Sequence, residues 1–273
     1  MVTGQLQAFA IAVNATHIVW TALNNQAVRA MPIAGGTVVD LAMSQIDPHY
    51  LAIDNANAYF TTWQSNGQSG AVKKVAITGG ATTTLSTFLV TAPAGLVVDM
   101  TNVYWDAGDV NAAPLGGGNA TIVAPYAMSE NAFGLALHGS NLFWVGGSGT
   151  GRDVRSVTTS GGAVVLVSDY IQGSIVGGVA VDAMNVYWSV DSTLHKTARS
   201  TGATSPLASA AQMGRGVAAD AHDVYWCTNA GVLKVPLDGG PTTTIGADPC
   251  FGITVDASAV YWTTWTSVMR LVK

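Results

Sequence analysis

GVAVDAMNVYW (178–188), GVAADAHDVYW (216–226) and GITVDASAVYW (252–262) are three copies of one phrase. GLVVDMTNVYW (95–105) and GLALHGSNLFW (134–144) are looser copies, and YLAIDNANAYF (50–60) and AIAVNATHIVW (10–20) bring the set to seven. Each copy is a short apolar run, a turn, and a run rich in aromatic and β-branched residues. Strand-type phrases recurring at about 40 residues, with no helical periodicity between them, imply a radial or stacked repeat architecture.

The copy that starts at Gly216 shows the whole unit. Gly216–Ala219 is an apolar strand, Asp220–Asp223 a turn, and Val224-Tyr225-Trp226 a second strand. After a turn at Asn229-Ala230-Gly231, a third strand runs over Leu233–Leu237, where Pro236 suits a place away from the central ladder. Asp238-Gly239-Gly240 is a hairpin turn that needs positive φ, and Thr242–Ile245 is a polar outer strand. The double glycine recurs at Gly35–Gly36, Gly79–Gly80, Gly116–Gly117 and Gly161–Gly162, and shrinks to Thr201-Gly202 in the fifth repeat.

Four antiparallel strands in each of seven repeats predict an all-β chain, a single seven-bladed β-propeller over residues 1–273. The repeats start near residues 10, 50, 95, 134, 178, 216 and 252. The seventh ends after its third strand, Val268–Lys273, and the spacing puts Val2-Thr3 at the vacant fourth position. Residues 1–9 are therefore expected to complete the last blade, close the ring and remove a sheet edge.

Two recurring columns are read as structural. Trp20, Trp105, Trp144, Trp188, Trp226 and Trp262, with Phe60 in the second repeat, place one large ring per blade in the gap between blades. Asp54, Asp99, Asp182, Asp220 and Asp256, with Asn14 and His138 as variants, end a strand before a tight turn and accept hydrogen bonds from turn amides. Spread around a ring, they cannot converge on one metal ion.

Composition narrows the function classes. Hydrophobic residues make up 49% of 273 and mean hydropathy is +0.33, so the core is substantial. Charged residues are 10%, against roughly 25% in an average soluble protein. Net charge is −5, and the one basic pair is Lys73–Lys74, which excludes a nucleic-acid footprint. No apolar run reaches the about 18 residues of a membrane span, and MVTGQLQ carries no signal-peptide pattern. Sparse lysine and a single glutamate, Glu130, fit a secreted or periplasmic surface. Cys227 and Cys250 are either a disulfide or two buried thiols. No Cys/His cluster has zinc spacing, so neither metal nor cofactor is expected, and a monomer is.

YFTT (59–62), YWDA (104–107), YWSV (187–190), YWCT (225–228) and YWTT (261–264) resemble degenerate forms of the YWTD repeat of lipoprotein-receptor propellers and their bacterial relatives. The likeness spans the chain. The Asp that closes the motif is absent from each copy, and the repeats number seven where the receptor propellers have six. The resemblance implies a propeller, a fold shared by receptors, scaffolds, lectins and a few lyases.

Residues that break the repeat are the functional candidates. They fall on the rim that carries the loops between second and third strands and the loops between blades. Tyr50, in Asp47-Pro48-His49-Tyr50, stands where other repeats have Gly or Ala, so it should project near the central opening. Trp63 and Trp265 each lie three residues beyond the blade aromatic, in blades that flank the first, and could frame one groove. Glu130, Arg152, Asp153, Asp169, Tyr170 and Arg215 are isolated charges and a tyrosine on the same rim, and Cys227, Cys250 and Phe251 sit on adjoining loops. Aromatic rings beside short polar groups suit a glycan or a peptide, so the expected function is non-enzymatic binding or scaffolding. An alternative is a lyase using His49 and Glu130 as general acid and base, as some seven-bladed lyases use His and Glu near the opening. A third is a purely structural domain of an envelope assembly.

Overall fold

The computed structural model describes residues 2–64, 69–89, 92–125, 133–147 and 149–273. These residues form seven antiparallel sheets of four strands, six in sequence order and the seventh completed by Val2–Thr3, with no helix among the described residues. The innermost strands are Ala8–Val13, Pro48–Ile53, Leu96–Val98, Phe133–His138, Val176–Val181, Gly214–Ala219 and Ile253–Val255. Each packs against the innermost strand of the next blade, and the last packs against the first, so the ring is closed. The chain is a seven-bladed β-propeller. In the fourth blade a short extra strand, Ile171–Gln172, pairs with Gly151–Arg152.

Closure follows the expected route. Val2–Thr3 lies antiparallel to the third strand of blade seven, with Val2 opposite Val268 and Thr3 opposite Ser267. One turn differs from expectation. The positive-φ pair of blade three is Gly117–Gly118 (φ 90° and 142°), not Gly116–Gly117. The turn is counted from the strand end: the amide of Gly117 donates to the Pro114 carbonyl, as Gly35 does to Pro32 and Gly239 to Pro236.

Each blade aromatic is buried, and its neighbour in sequence explains how the ring holds together. Successive side chains on a strand point to opposite faces. In Tyr-Trp, therefore, the tyrosine serves one interface and the tryptophan the other. Tyr59 packs in one cluster with Trp105, Tyr104 with Trp144, Tyr187 with Trp226, Tyr225 with Trp262, and Tyr261 with Trp20. Val19 with Phe60 and Phe143 with Trp188 complete the seven interfaces.

The tyrosine hydroxyl is not left dry. It donates to the turn aspartate five residues earlier in five blades: Tyr59 to Asp54, Tyr104 to Asp99, Tyr187 to Asp182, Tyr225 to Asp220 and Tyr261 to Asp256, at 2.7–2.9 Å. The other carboxylate oxygen accepts two turn amides, as Asp182 does from Met184 and Asn185. Burial raises the pKa of Asp220, but the Lys273 ammonium, the amides of His222 and Asp223 and the Tyr225 hydroxyl outweigh it and hold it at about 2. Blades one and four lack this tie at both ends: Asn14 goes with Val19, and His138 with Phe143. A buried hydroxyl without its acceptor is costly, so the two positions change together.

A second set of ties comes from the residue after the tryptophan. Thr21 accepts the amide of Ala10 and donates to the His49 carbonyl of the next blade, both at 3.0 Å. Thr263 accepts from Gly252 (2.9 Å) and donates to Phe9 of blade one (2.6 Å). Blade six replaces this hydroxyl with Cys227, whose disulfide to Cys250 makes the same inter-blade connection covalently, with the two Cα atoms 5.1 Å apart. Blade three replaces it with Asp106, which accepts the amide of Ala94 while its second oxygen is buried without a hydrogen-bond partner. Burial pushes this acid up to about 8, against the pull of the Ala94 and Gly95 amides. At neutral pH the neutral acid form of Asp106 therefore predominates.

Three measurements test these assignments. Trp188→Ala is expected to lose about 3–5 kcal/mol in urea titration, as core truncations do; a loss under about 1 kcal/mol would remove the wedge role. Asp106→Asn addresses the buried acid. Its folded-state pKa lies above the unfolded value, so wild type is favoured at low pH and loses stability as pH rises from about 4 to about 8. The stability of the variant relative to wild type should rise across that window and then level off; a difference independent of pH contradicts the assignment. Replacing both Cys227 and Cys250 with serine should cost about 3 kcal/mol, from the entropy of the 23-residue loop that the disulfide closes. The midpoint shift between wild type and this variant in non-reducing buffer reads it directly.

Candidate functional site at the central mouth

Five innermost strands carry a β-bulge at the same place to within one residue. The register slips between Ala8 and Ile11, Pro48 and Leu51, Phe133 and Ala136, Val176 and Val179, and Gly214 and Val217. A bulge puts one extra residue against the partner strand and re-aims side chains. The column just before each repeat phrase is Phe9, His49, Ala94, Phe133, Gly177, Arg215 and Phe251, and all of these but His49 line the central opening. The next column is small in most blades because neighbouring strands crowd together. A Cβ on Gly252 would stand 2.4 Å from the Phe9 carbonyl oxygen. Tyr50 is the large exception.

These columns line a cavity of about 440 Å³ at the centre of the rim. Phe9, Tyr50, Phe133 and Phe251 supply aromatic surface, and Ile175 and Met213 supply partly exposed apolar edges. Phe9 meets the His49 ring edge-on at 5.2 Å and the Tyr50 ring at 6.1 Å. Trp265, 53% exposed, leans on Phe251 at 5.3 Å and extends the wall outward. Tyr50 is half-buried, and burial, with the nearby Asp106, raises the pKa of its hydroxyl, so it stays a neutral donor.

Charge enters at one point. Arg215 is the one charged side chain among the described lining residues. Its guanidinium lies 4.7 Å from the centre of the Phe251 ring, and its Nε donates to Asn229 Oδ1 at 2.6 Å. Asn229 is neutral, so the cation is oriented without being neutralised. Phe251 is itself tied down through Cys250. On the facing arc Arg152 covers Phe133 at 5.2 Å; it is buried and donates to the carbonyls of Gly149, Gly151 and Ser174.

The sequence candidates divide. Tyr50, Arg215 and Phe251 come together in the cavity, with Trp265 beside it. Trp63 lies elsewhere. It stacks nearly parallel to Phe88 at 6.2 Å, across Gly70, in a separate groove with Lys73, Thr84 and Thr87. Trp265 does not line that groove. Asp169 and Tyr170 are exposed on the connection before Ile171, and the Tyr170 ring covers Gly151. Asp153 pairs with Arg155 at 2.7 Å. His49 bonds the carbonyl of its neighbour Asp47 through Nδ1 at 3.1 Å. Glu130 lies outside the described residues. His195 is buried against Trp188, and burial lowers its pKa. Phe9 and Phe133 were missed from the sequence; both stand in the column just before each repeat phrase.

No family model matches the chain, and no curated protein matches it. Solved structures do. The chain is similar to a propeller in a nidogen/laminin complex, at 14% identity and a TM-score of 0.69 over 88% of this chain and 98% of that one. It is similar to a streptogramin B lyase, at 9% identity and a TM-score of 0.76 over 100% and 96%. It is also similar to hydrazine synthase of Kuenenia stuttgartiensis, at 12% identity and a TM-score of 0.78 over 100% and 97%. At these identities the likeness is one of fold: it joins a chain from a protein complex and two enzymes on one scaffold.

Proposed function

We propose that this chain is a binding propeller of the YWTD-like kind, which takes a protein or peptide ligand at its central mouth. The observation that carries this reading is the repeat column itself. Where the scaffold needs only a small residue or tolerates any, the chain places three phenylalanines and one arginine around an open cavity. The lining is mostly apolar, which suits an apolar side chain better than a sugar ring, whose hydroxyls need many polar partners. Trp265 and Met213, exposed at the edge, offer the aromatic and soft apolar surface common at protein contacts. The nidogen/laminin neighbour is in keeping with a protein ligand.

A glycan is a second reading, favoured by the Trp63–Phe88 platform with Lys73, Thr84 and Thr87 around it. The disulfide supports a secreted or periplasmic site of action, where such bonds persist. No helix among the described residues is long and apolar enough to cross a membrane.

Parallel peptide and glycan arrays probed with wild type, Trp265→Ala and Trp63→Ala test the proposal. Peptide binding that falls in Trp265→Ala and survives in Trp63→Ala is the expected result. Glycan binding that falls in Trp63→Ala alone would move the site to the outer groove. Turnover of any substrate that disappears in His49→Ala would replace the binding reading with the lyase.

A further inference from the structure

Resting on the central-mouth reading, we infer that Arg215 is an anchor for a carboxylate, and that the ligand is the C-terminal end of a peptide whose last side chain is apolar. Three features of the cavity converge on this chemistry.

The first is an unneutralised, oriented cation. Among the described residues no carboxylate pairs with Arg215, and its bonded partner is the neutral amide of Asn229, through Nε. The terminal nitrogens are left for a ligand. A planar guanidinium clamped on a ring presents a fixed fork of donors, which matches the two oxygens of a carboxylate. The second is the low polarity around it. Phe9, Phe133, Ile175 and Met213 share the cavity with Arg215, so a charge bound there is poorly screened and the pair is stronger than on open surface. The third is the distribution of the apolar surface. Phe251 and Phe9 adjoin each other at 6.3 Å, so an apolar side chain and a carboxylate on the same residue can be held together. In a chain of net charge −5 the mouth is a local inversion of sign. Among the described lining residues the one charge is positive, which favours an anion over a cation.

Titration calorimetry of the full chain with N-acetyl-phenylalanine and with N-acetyl-phenylalaninamide tests the anchor. The acid should bind at least about tenfold more tightly than the amide, the worth of a charge-assisted hydrogen-bonded pair. In Arg215→Met the two probes should bind alike. Arg215→Lys should restore part of the preference at most, because an ammonium cannot fork. Should Arg215→Met fail to fold, Asn229→Ala keeps the cation, frees Nε and should shrink the preference for the acid.

Equal binding of acid and amide to wild type, with both lost in Trp265→Ala, would overturn the anchor and leave the mouth standing. No binding of either probe, together with array binding untouched by Trp265→Ala, would overturn both. Phenyl phosphate binding more tightly than the acid would overturn the carboxylate assignment in favour of a phosphate.

Discussion

Everything in this molecule depends on one geometric fact, that two adjacent residues on a strand face opposite ways. The Tyr-Trp pair exploits it. Each blade pushes one large ring, a tryptophan or Phe60, into the interface behind it and the preceding residue, a tyrosine in five blades, into the interface ahead, so no blade owns a complete core. Burying an aromatic side chain accounts for about 150–250 Å², and seven such interfaces hold the ring. The Tyr–Asp bond joins this packing to the turns. It lets the wedge carry a hydroxyl into the inter-blade space without stranding it, and blades one and four show the rule by dropping donor and acceptor together.

The fold was legible because every repeat writes the same packing solution, and closure was legible because the seventh repeat lacks a strand that Val2-Thr3 supplies. The site was legible only in part. Tyr50 and Arg215 stood out as breaks in a pattern. Phe9 and Phe133 did not, because a bulge converts an ordinary-looking aromatic beside a strand into a residue of the opening, and a bulge leaves no mark in composition or period. Trp63 parts from Trp265 for a different reason. Its spacing matches that of Trp265, but blade two has longer second and third strands, Asn57–Gln64 and Ser69–Ala76, so Trp63 still belongs to a sheet and covers Gly70. Asp106 carried no warning at all: its protonation is set by burial, which only the folded chain defines.

Scaffold and site are separable here. The columns that hold blades together vary little among the repeats, whereas the column before each phrase holds Phe, His, Ala, Gly and Arg. This is why neighbours at 9–14% identity can include both a chain from a protein complex and enzymes. In this chain the mouth column gathers aromatic surface on blades one, four and seven and a single cation on blade six, which breaks the seven-fold symmetry in one direction.

The ring closes through residues 2 and 3 against residues 267 and 268. During synthesis the first blade emerges long before its partner. Trp20 must wait for Tyr261, and the Phe9 carbonyl for the Thr263 hydroxyl that caps it. Six interfaces can form in order as the chain lengthens, but the seventh cannot exist until the last blade is made. The nascent protein therefore passes through an open arc with one aromatic face at each end. Two such arcs meeting at high concentration would find each other's faces as readily as their own.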